Sequence, residues 1–375
     1  MAAGDLKGTI ILCAGGTGGH LFPAEALAHE LTQRGYAVHL ATDERAERYS
    51  ASFPAVAIHL IPSATIGSKN PVSIARALLK LASGYRAARR LIRRLQPVAV
   101  VGFGGYPTLP PMLAARHGGV PTLLHDANAV MGRANRLLSR GVKLAAMGFE
   151  GAGNPANTIV TGNPVRPAVT AASARPYPAR KAGDPFNLLV FGGSQGAQFF
   201  SQILPQTISE LDEAERKRLR LTMQVRAEDM AACASRTREL VENSELAPFF
   251  TDMAERIANA HLVISRAGAS TVSELAVIGR PSILVPYPHA LDHDQTLNAR
   301  AMAQVGAARV VEQIELGPKR LAAIIRDAMA DPQGLALLAE NAKKTGKPDA
   351  AGHLADCVED IIAGRQSTGP REKAS

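Results

Sequence analysis

The 375-residue chain contains no tryptophan, only 4% aromatic residues, three cysteines, and not one acidic residue between Glu47 and Asp126. Each shortage excludes something. Cys13, Cys233 and Cys357 are widely spaced and odd in number, so they form neither a disulfide framework nor a metal-ligand pattern, and they suit a reducing compartment. No apolar run reaches the ~18 residues that a membrane span requires. Met1 to Gly8 lacks the charged-then-apolar order of a secretion signal, and the apolar run from Thr9 to Ala14 ends in glycines rather than a cleavage site. A cytoplasmic location is the expectation.

The missing acids leave a lopsided charge. Residues 1–165 carry 17 Lys+Arg against 8 Asp+Glu, and residues 166–375 carry 25 of each, so the whole net charge of +9 lies in the first half. Lys69, Arg76, Lys80, Arg86, Arg89, Arg90, Arg93, Arg94 and Arg116 accumulate in the acid-free stretch, which points to a polyanionic partner. Few aromatics and no recognition motif argue against nucleic acid, leaving an anionic membrane surface as the expected partner.

Length, with 46% apolar against 20% charged residues, suits two globular domains of roughly 150–180 residues. Thr9–Ala14 is a β-rich run that breaks at Gly15-Gly16-Thr17-Gly18-Gly19. The spacing of Ala24, Leu27, Ala28 and Leu31 predicts a helix over 23–34, Gly35 stops it, and 36–42 reads as the next strand. This strand–glycine loop–helix–strand unit opens a doubly wound fold. Further strands are expected at 98–103, 122–125 and 143–147. The pattern restarts at 187–191, which meets Gly192-Gly193-Ser194-Gln195-Gly196-Ala197 and a helix from Phe199, with strands following at 220–225, 261–265 and 282–286. The chain therefore reads as α/β, two Rossmann-like domains separated by a deep cleft. Their expected bounds are 1–164 and 165–347, with a C-terminal helix at about 348–365 packing back on the first domain and a polar, disordered tail over 366–375.

Glycines between a strand and a helix let backbone N–H groups approach a phosphate, and the helix amino terminus adds partial positive charge. Gly15–Gly19 and Gly192–Gly196 both qualify, yet either can be a plain tight turn. Neither carries the Gly-Lys-Ser/Thr of a Walker loop or a clean Gly-x-Gly-x-x-Gly; Asp43, after the second strand, keeps a nicotinamide-dependent dehydrogenase open. His20 directly follows the first loop. A neutral imidazole there can take a proton from a sugar hydroxyl, hydrogen-bond a phosphate, or merely cap and pack. The Ser265–Glu274 segment again closes a strand and opens a helix. Its amides can receive a diphosphate, while Glu274 can accept both hydroxyls of a ribose or simply favour the helix dipole. Asp292-His293-Asp294 has the Asp-x-Asp spacing with which some glycosyltransferases hold a divalent cation, but capping the following helix is the simpler role. No cofactor is expected beyond a non-essential divalent cation.

Six motifs stand in order: Gly15-Gly-Thr-Gly-Gly-His20, Gly102-Phe-Gly-Gly-Tyr106, His125-Asp-Ala-Asn128, Gly162-Asn-Pro-Val-Arg166, Gly192-Gly-Ser-Gln-Gly-Ala197 and the Ser265–Glu274 segment. The ordered set, spanning about residues 8–360, resembles the MurG family of peptidoglycan N-acetylglucosaminyltransferases, which are of the two-Rossmann-domain (GT-B) type. The resemblance implies an inverting hexosyltransferase. It would move GlcNAc from UDP-GlcNAc to the C4 hydroxyl of the muramyl sugar of lipid I, an undecaprenyl-diphosphate-linked muramyl-pentapeptide, giving lipid II for the cell wall, on which cell shape and division depend. It also implies a peripheral place on the cytoplasmic face of the bacterial inner membrane.

Carried onto this sequence, Thr17, Gly18, Gly19 and Asn128 would line the donor-sugar side, and Arg166 and Ser194 would hold the donor. Phe249 and Phe250 would border the uracil. Arg266, Gly268, Ala269, Ser270 and Thr271 would take the diphosphate and Glu274 the ribose. Gly15, Gly16, Gly104, Gly105 and Tyr106 would face the acceptor. Gln295 would contact GlcNAc, although Asp294 stands where the family often has another glutamine, and Asp126-Ala127 stands where it has Glu-Gln. His20 is the candidate base, with binding of the acceptor's diphosphate as the competing role for its loop. A non-catalytic nucleotide-sugar or membrane-binding module is the reading outside enzymes.

A lipid-linked acceptor stays in the bilayer, so the chain needs a surface for it. Asn70-Pro71 reads as a cap and first-turn proline, after which Ala75, Leu78, Leu79 and Ala82 form one apolar stripe beside Arg76 and Lys80. An interfacial role is expected for Ile66–Tyr85, Lys69 included. The continuation through Ala88, Leu91, Ile92 and Leu95, among five arginines, is expected to pack on the sheet.

Overall fold

The computed structural model describes residues 6–45, 53–64, 70–150, 157–193, 198–290 and 294–367. Lys69, Ser194, Asp292, His293 and the tail beyond Ser367 lie outside the described residues. The chain divides into two compact units: one runs to Arg166 and resumes at Pro348, and the other is Pro167–Lys347.

The first unit is built on parallel strands β1 (Thr9–Cys13), β2 (Ala37–Thr42), β3 (Ala57–Leu60), β4 (Ala99–Gly102), β5 (Thr122–Asp126), β6 (Leu144–Met147) and β7 (Thr158–Val160), in the order β3-β2-β1-β4-β5-β6-β7. Both faces are covered. Ile10 and Leu12 meet the Gly18–Gln33 and Ala350–Ile362 helices on one side, and Ile11 and Cys13 meet the Pro71–Leu95 and Leu109–His117 helices on the other. A parallel strand buried on both faces reads as an unbroken apolar run, which is why β1 is legible as Ile-Ile-Leu-Cys. The returning C-terminal helix is tied down by Arg34, whose guanidinium reaches Glu30 at 2.8 Å, Asp356 at 2.7 Å, Glu359 at 2.8 Å and the Gly352 carbonyl at 3.1 Å.

The second unit carries β8 (Phe186–Phe191), β9 (Leu219–Gln224), β10 (Ser244–Ala247), β11 (Leu262–Ser265), β12 (Ser282–Leu284) and β13 (Arg309–Val310), also parallel, in the order β10-β9-β8-β11-β12-β13. Arg280, 1% exposed, sits under this sheet with no carboxylate among its hydrogen-bond partners. Its charge is solvated by the carbonyls of Arg175, Pro176, Ala258, Ile278 and Gly279, two of which end the Ala269–Ile278 helix, where a cation is favoured.

In each sheet the chain order reverses once, between β1 and β4 and between β8 and β11. Crevices outside the carboxyl ends of strands at such switch points are where open α/β sheets bind ligands. The segments leaving these four strands are Gly15–Thr17, Phe103–Gly105, Gly192-Gly193 and Arg266–Gly268. The glycine motifs thus fall at the two switch points.

Asn70 caps the Pro71–Leu95 helix, its side chain accepting from the Val72 amide at 2.9 Å. The helix changes character along its length. Ala88, Leu91 and Ile92 are buried, whereas Leu78 and Leu79 are 53% and 71% exposed beside exposed Arg76 and Lys80. Gly84 marks the changeover: a Cβ there would meet the Pro62 carbonyl oxygen at 1.9 Å, so only glycine lets the two backbones pass. No helix among the described residues is long and apolar enough to cross a membrane.

Candidate active site

In the first unit the helix begins inside the glycine motif rather than after it. Thr17 is the N-cap, and Gly18, Gly19 and His20 form the first turn. The His20 and Leu21 amides both bond the Thr17 carbonyl at 3.0 Å, which leaves the Gly18 and Gly19 amides at the helix's positive end without a helical acceptor. The second glycine motif locks onto the first: the Gly15 amide donates to the Gly104 carbonyl at 3.0 Å. Gly104 and Gly105 have φ of +95° and +78°, a left-handed backbone that favours glycine. A Cβ on Gly104 would press on His20 Cδ2 and Nε2 at 3.2 Å, and one on Gly105 would lie 3.1 Å from the Gly15 Cα. The half-buried His20 ring therefore lies on a floor of glycines, with Tyr106 opening the short turn that follows.

His20 Nδ1 is 3.1 Å from Thr17 Oγ1. With Nδ1–H donating to that hydroxyl, Nε2 carries the free lone pair. Burial pushes the His20 pKa below the ordinary histidine value; Asp126 raises it, Arg45 lowers it and Asp43 raises it. The imidazole is thus neutral and able to accept a proton near pH 7. Asp43, the candidate ribose acid of a dehydrogenase, instead takes Arg45 at 2.9 Å and 2.5 Å.

Asp126 and Asn128 follow on from β5. The buried Asp126 carboxylate accepts from the Asn128 amide at 3.1 Å, the Gly132 amide at 2.8 Å and Asn135 Nδ2 at 2.8 Å. Its neighbour His125 is fully buried, stands 3.3 Å from the Gly162 carbonyl through Nε2, and is pushed down to about 4 by burial. Arg166 ends the first unit with its guanidinium over the Phe22 ring, two residues beyond His20.

In the second unit the Ala269–Ile278 helix starts at Gly268, and its first helical hydrogen bond runs from the Val272 amide to the Gly268 carbonyl at 3.0 Å. The Ala269, Ser270 and Thr271 amides precede it and are available to an anion. Glu274 lies in the next turn and is buried. The Arg266 side chain is turned into the fold. It donates to the Val285 carbonyl at 3.2 Å, the Pro286 carbonyl at 3.1 Å and Gln313 Oε1 at 2.6 Å, among the rings of Phe199, Phe200 and Tyr287. Burial lowers its pKa to about 10. The Arg266 side chain thus holds the segments at Val285–Pro286 and Gln313 to its own. Gln295 Oε1 accepts from the Tyr287 amide at 3.0 Å, and Asp294 Oδ1 from the Gln295 amide at 2.7 Å.

Phe249 and Phe250 part company. Phe249 is 60% exposed, whereas Phe250 is 6% exposed with the Arg256 guanidinium 4.0 Å from its ring centre. A flat base has one open ring here, not two.

The structure therefore gathers Thr17–His20, Gly104–Tyr106, Asn128 and Arg166 in the first unit, and the 266–271 turn, Glu274 and Gln295 in the second. Leu78, Leu79, Arg76 and Lys80 form a separate face. Sequence reasoning missed Asn135 and Gln313, which hold Asp126 and Arg266. Neither sits in a glycine motif or beside one, so no local signal singles them out.

Comparison with known proteins adds the chemistry. Residues 10–147 match the glycosyltransferase family 28 N-terminal domain and residues 187–354 its C-terminal domain. The chain is 61% identical over 362 residues to a UDP-N-acetylglucosamine--N-acetylmuramyl-(pentapeptide) pyrophosphoryl-undecaprenol N-acetylglucosamine transferase of Rhizobium leguminosarum bv. trifolii, covering 96% of this chain and 97% of that protein. It is 62% identical over 361 residues to the enzyme of the same name from Sinorhizobium fredii, covering 96% of each. Among solved structures, MurG of Acinetobacter baumannii matches with a TM-score of 0.75 at 32% identity, over 94% of this chain and 99% of that one. A UDP-N-acetylglucosamine 2-epimerase matches with a TM-score of 0.65 at 12% identity, over 96% of this chain and 98% of that one; it shares the fold alone, a reminder that this architecture serves more than one reaction. With both halves of the family model matched and full-length identity above 60% to named transferases, the chain belongs to glycosyltransferase family 28, in its MurG branch of N-acetylglucosamine transferases.

Proposed function

We propose that this chain transfers GlcNAc from UDP-GlcNAc to the C4 hydroxyl of the muramyl sugar of an undecaprenyl-diphosphate-linked muramyl-pentapeptide, with inversion at the anomeric carbon. The observation that carries the mechanism is the neutral His20 ring, seated on Gly104 and Gly105 and held by Thr17 through Nδ1. Nε2 then removes the proton of the attacking hydroxyl. A single in-line attack on an α-linked donor gives a β product and needs one base, not two. The Gly18 and Gly19 amides beside it suit the acceptor's diphosphate.

UDP departs as a trianion whose developing charge is met by the Ala269, Ser270 and Thr271 amides and their helix dipole. Glu274 accepts the ribose hydroxyls, and the exposed Phe249 ring borders the uracil. This arrangement makes a metal dispensable. The Leu78 and Leu79 face, ringed by Arg76 and Lys80, rests on the anionic cytoplasmic leaflet where the acceptor resides.

Thermal unfolding with candidate ligands tests the reading: UDP and UDP-GlcNAc raise Tm and NAD(H) does not. Stabilisation by NAD(H) alone would overturn it.

A further inference from the structure

The proposed mechanism uses His20 but leaves one buried charge beneath it unexplained. Asp126 is 3% exposed, and its three hydrogen-bond partners are neutral N–H groups, those of Asn128, Gly132 and Asn135. A buried carboxylate with no cation against it is costly unless every lone pair is satisfied, so this one is retained for a local purpose.

Two connections show what it does. The first is mechanical. Bonds to the Asn128 and Gly132 amides close the 126–132 turn and fix Asn128. The bond to Asn135 Nδ2 holds an amide that also donates to the His125 carbonyl at 3.2 Å. That same nitrogen lies 3.1 Å from where a Gly104 Cβ would be. Asn135 Nδ2 and the His20 ring thus border the same space, the one a Gly104 side chain would fill, and Asp126 fixes Asn135. The second connection is electrostatic. Among the described residues, Asp126, Arg45 and Asp43 act on the His20 ring. Arg45 and Asp43 pair with one another at 2.5 Å and act on the ring in opposite senses, and of the three the Asp126 carboxylate acts most strongly. In a poorly solvated site such a field is weakly screened.

Resting on the reading of His20 as the base, we infer that Asp126 is the positioning residue for proton removal. Through Asn135 it fixes one wall of the space beside Gly104 that the imidazole borders, and its negative charge stabilises the imidazolium that forms when Nε2 takes the acceptor proton. The proton passes from the sugar hydroxyl to Nε2 as the new C–O bond forms and the bond to UDP breaks.

The test combines D126N, D126E, N135S and H20A with the pH profile of kcat and calorimetric UDP binding. In D126N the charge goes but the shape stays. Its kcat falls roughly tenfold or more with UDP affinity unchanged, and the acidic limb of its profile moves to lower pH by about 0.5 or more. D126E keeps the charge, so its limb stays in place while kcat falls less. N135S keeps the charge and removes the brace, so its limb stays and its kcat falls. A D126N limb that does not move, with the limb abolished in H20A, overturns the role of Asp126 and leaves His20 as the base. A limb that persists in H20A overturns both. Should D126N fail to fold, native kcat in both D126E and N135S would overturn the brace.

Discussion

The Arg166 guanidinium carbon lies 4.1 Å from the centre of the Phe22 ring, so the residue at which the chain leaves the first unit is held against the helix that begins with the first glycine motif. Lysine at this position keeps the charge but cannot stack or fork in the same way. R166K is expected to lower kcat/KM for UDP-GlcNAc by roughly tenfold, and Phe22→Leu to reproduce part of that loss. Steady-state kinetics measure both; native kcat/KM in R166K would place Arg166 outside the path of the donor.

Stability should fall on the acid side. His125 and His261 are each pushed down to about 4, chiefly by burial, whereas both titrate near 6.5 once unfolded. Between those values the unfolded chain binds more protons than the native one, so unfolding free energy declines as pH falls through that window and levels off below about 4. For the fully buried His125 the loss is on the order of 3 kcal/mol. Chemical denaturation at successive pH values reads it out, and His125→Gln should flatten the slope; a slope unchanged by that substitution would contradict the assignment.

The exposed half of the Pro71–Leu95 helix predicts reversible binding to anionic membranes. At about 1 kcal/mol per cation, R76Q/K80Q should weaken binding to phosphatidylglycerol vesicles by roughly 30-fold. L78S/L79S should weaken it on neutral vesicles too. Vesicle sedimentation measures both effects, and native binding by both double variants would remove this face from the account.

The C-terminal helix is held by a cluster rather than a lone pair. Arg34, with its side chain 22% exposed, joins Glu30, Asp356 and Glu359, and Tyr36 and Lys7 also approach Glu359. Arg34→Ala leaves three partly buried carboxylates facing one another and should destabilise the protein by about 2–3 kcal/mol. Calorimetry of the intact chain would detect this, and a change below about 0.5 kcal/mol would mark the cluster as ordinary surface charge.

Nine strands were legible in the sequence, and the four that were not, β3, β7, β10 and β13, are the four sheet edges. The physical reason is burial. An interior parallel strand is apolar on both faces, whereas Ala57–Leu60 alternates between half-buried and exposed positions and Arg309–Val310 is only a two-residue pairing. The glycine motifs marked both switch points because backbone proximity to a ligand leaves a compositional trace. Side-chain direction leaves none. Arg266 sits within a binding motif yet points into the core toward Gln313, 47 residues along the chain, and Phe250 is covered by Arg256 while Phe249 stays open. Such pairings arise only when distant elements pack, so they have no local pattern to read. The helix start at Gly18 rather than Pro23 was obscured for a related reason: glycines that serve a helix's amino-terminal amides look like a loop.

Because a UDP-N-acetylglucosamine 2-epimerase shares this fold, the most direct test follows the sugar itself. The purified chain, given radiolabelled UDP-GlcNAc and a lipid-diphosphate-muramyl-pentapeptide acceptor, is expected to move label onto the acceptor as a β-linked GlcNAc with stoichiometric release of UDP. Conversion of the labelled donor to its 2-epimer, or release of free sugar with no labelled acceptor, would contradict the assignment.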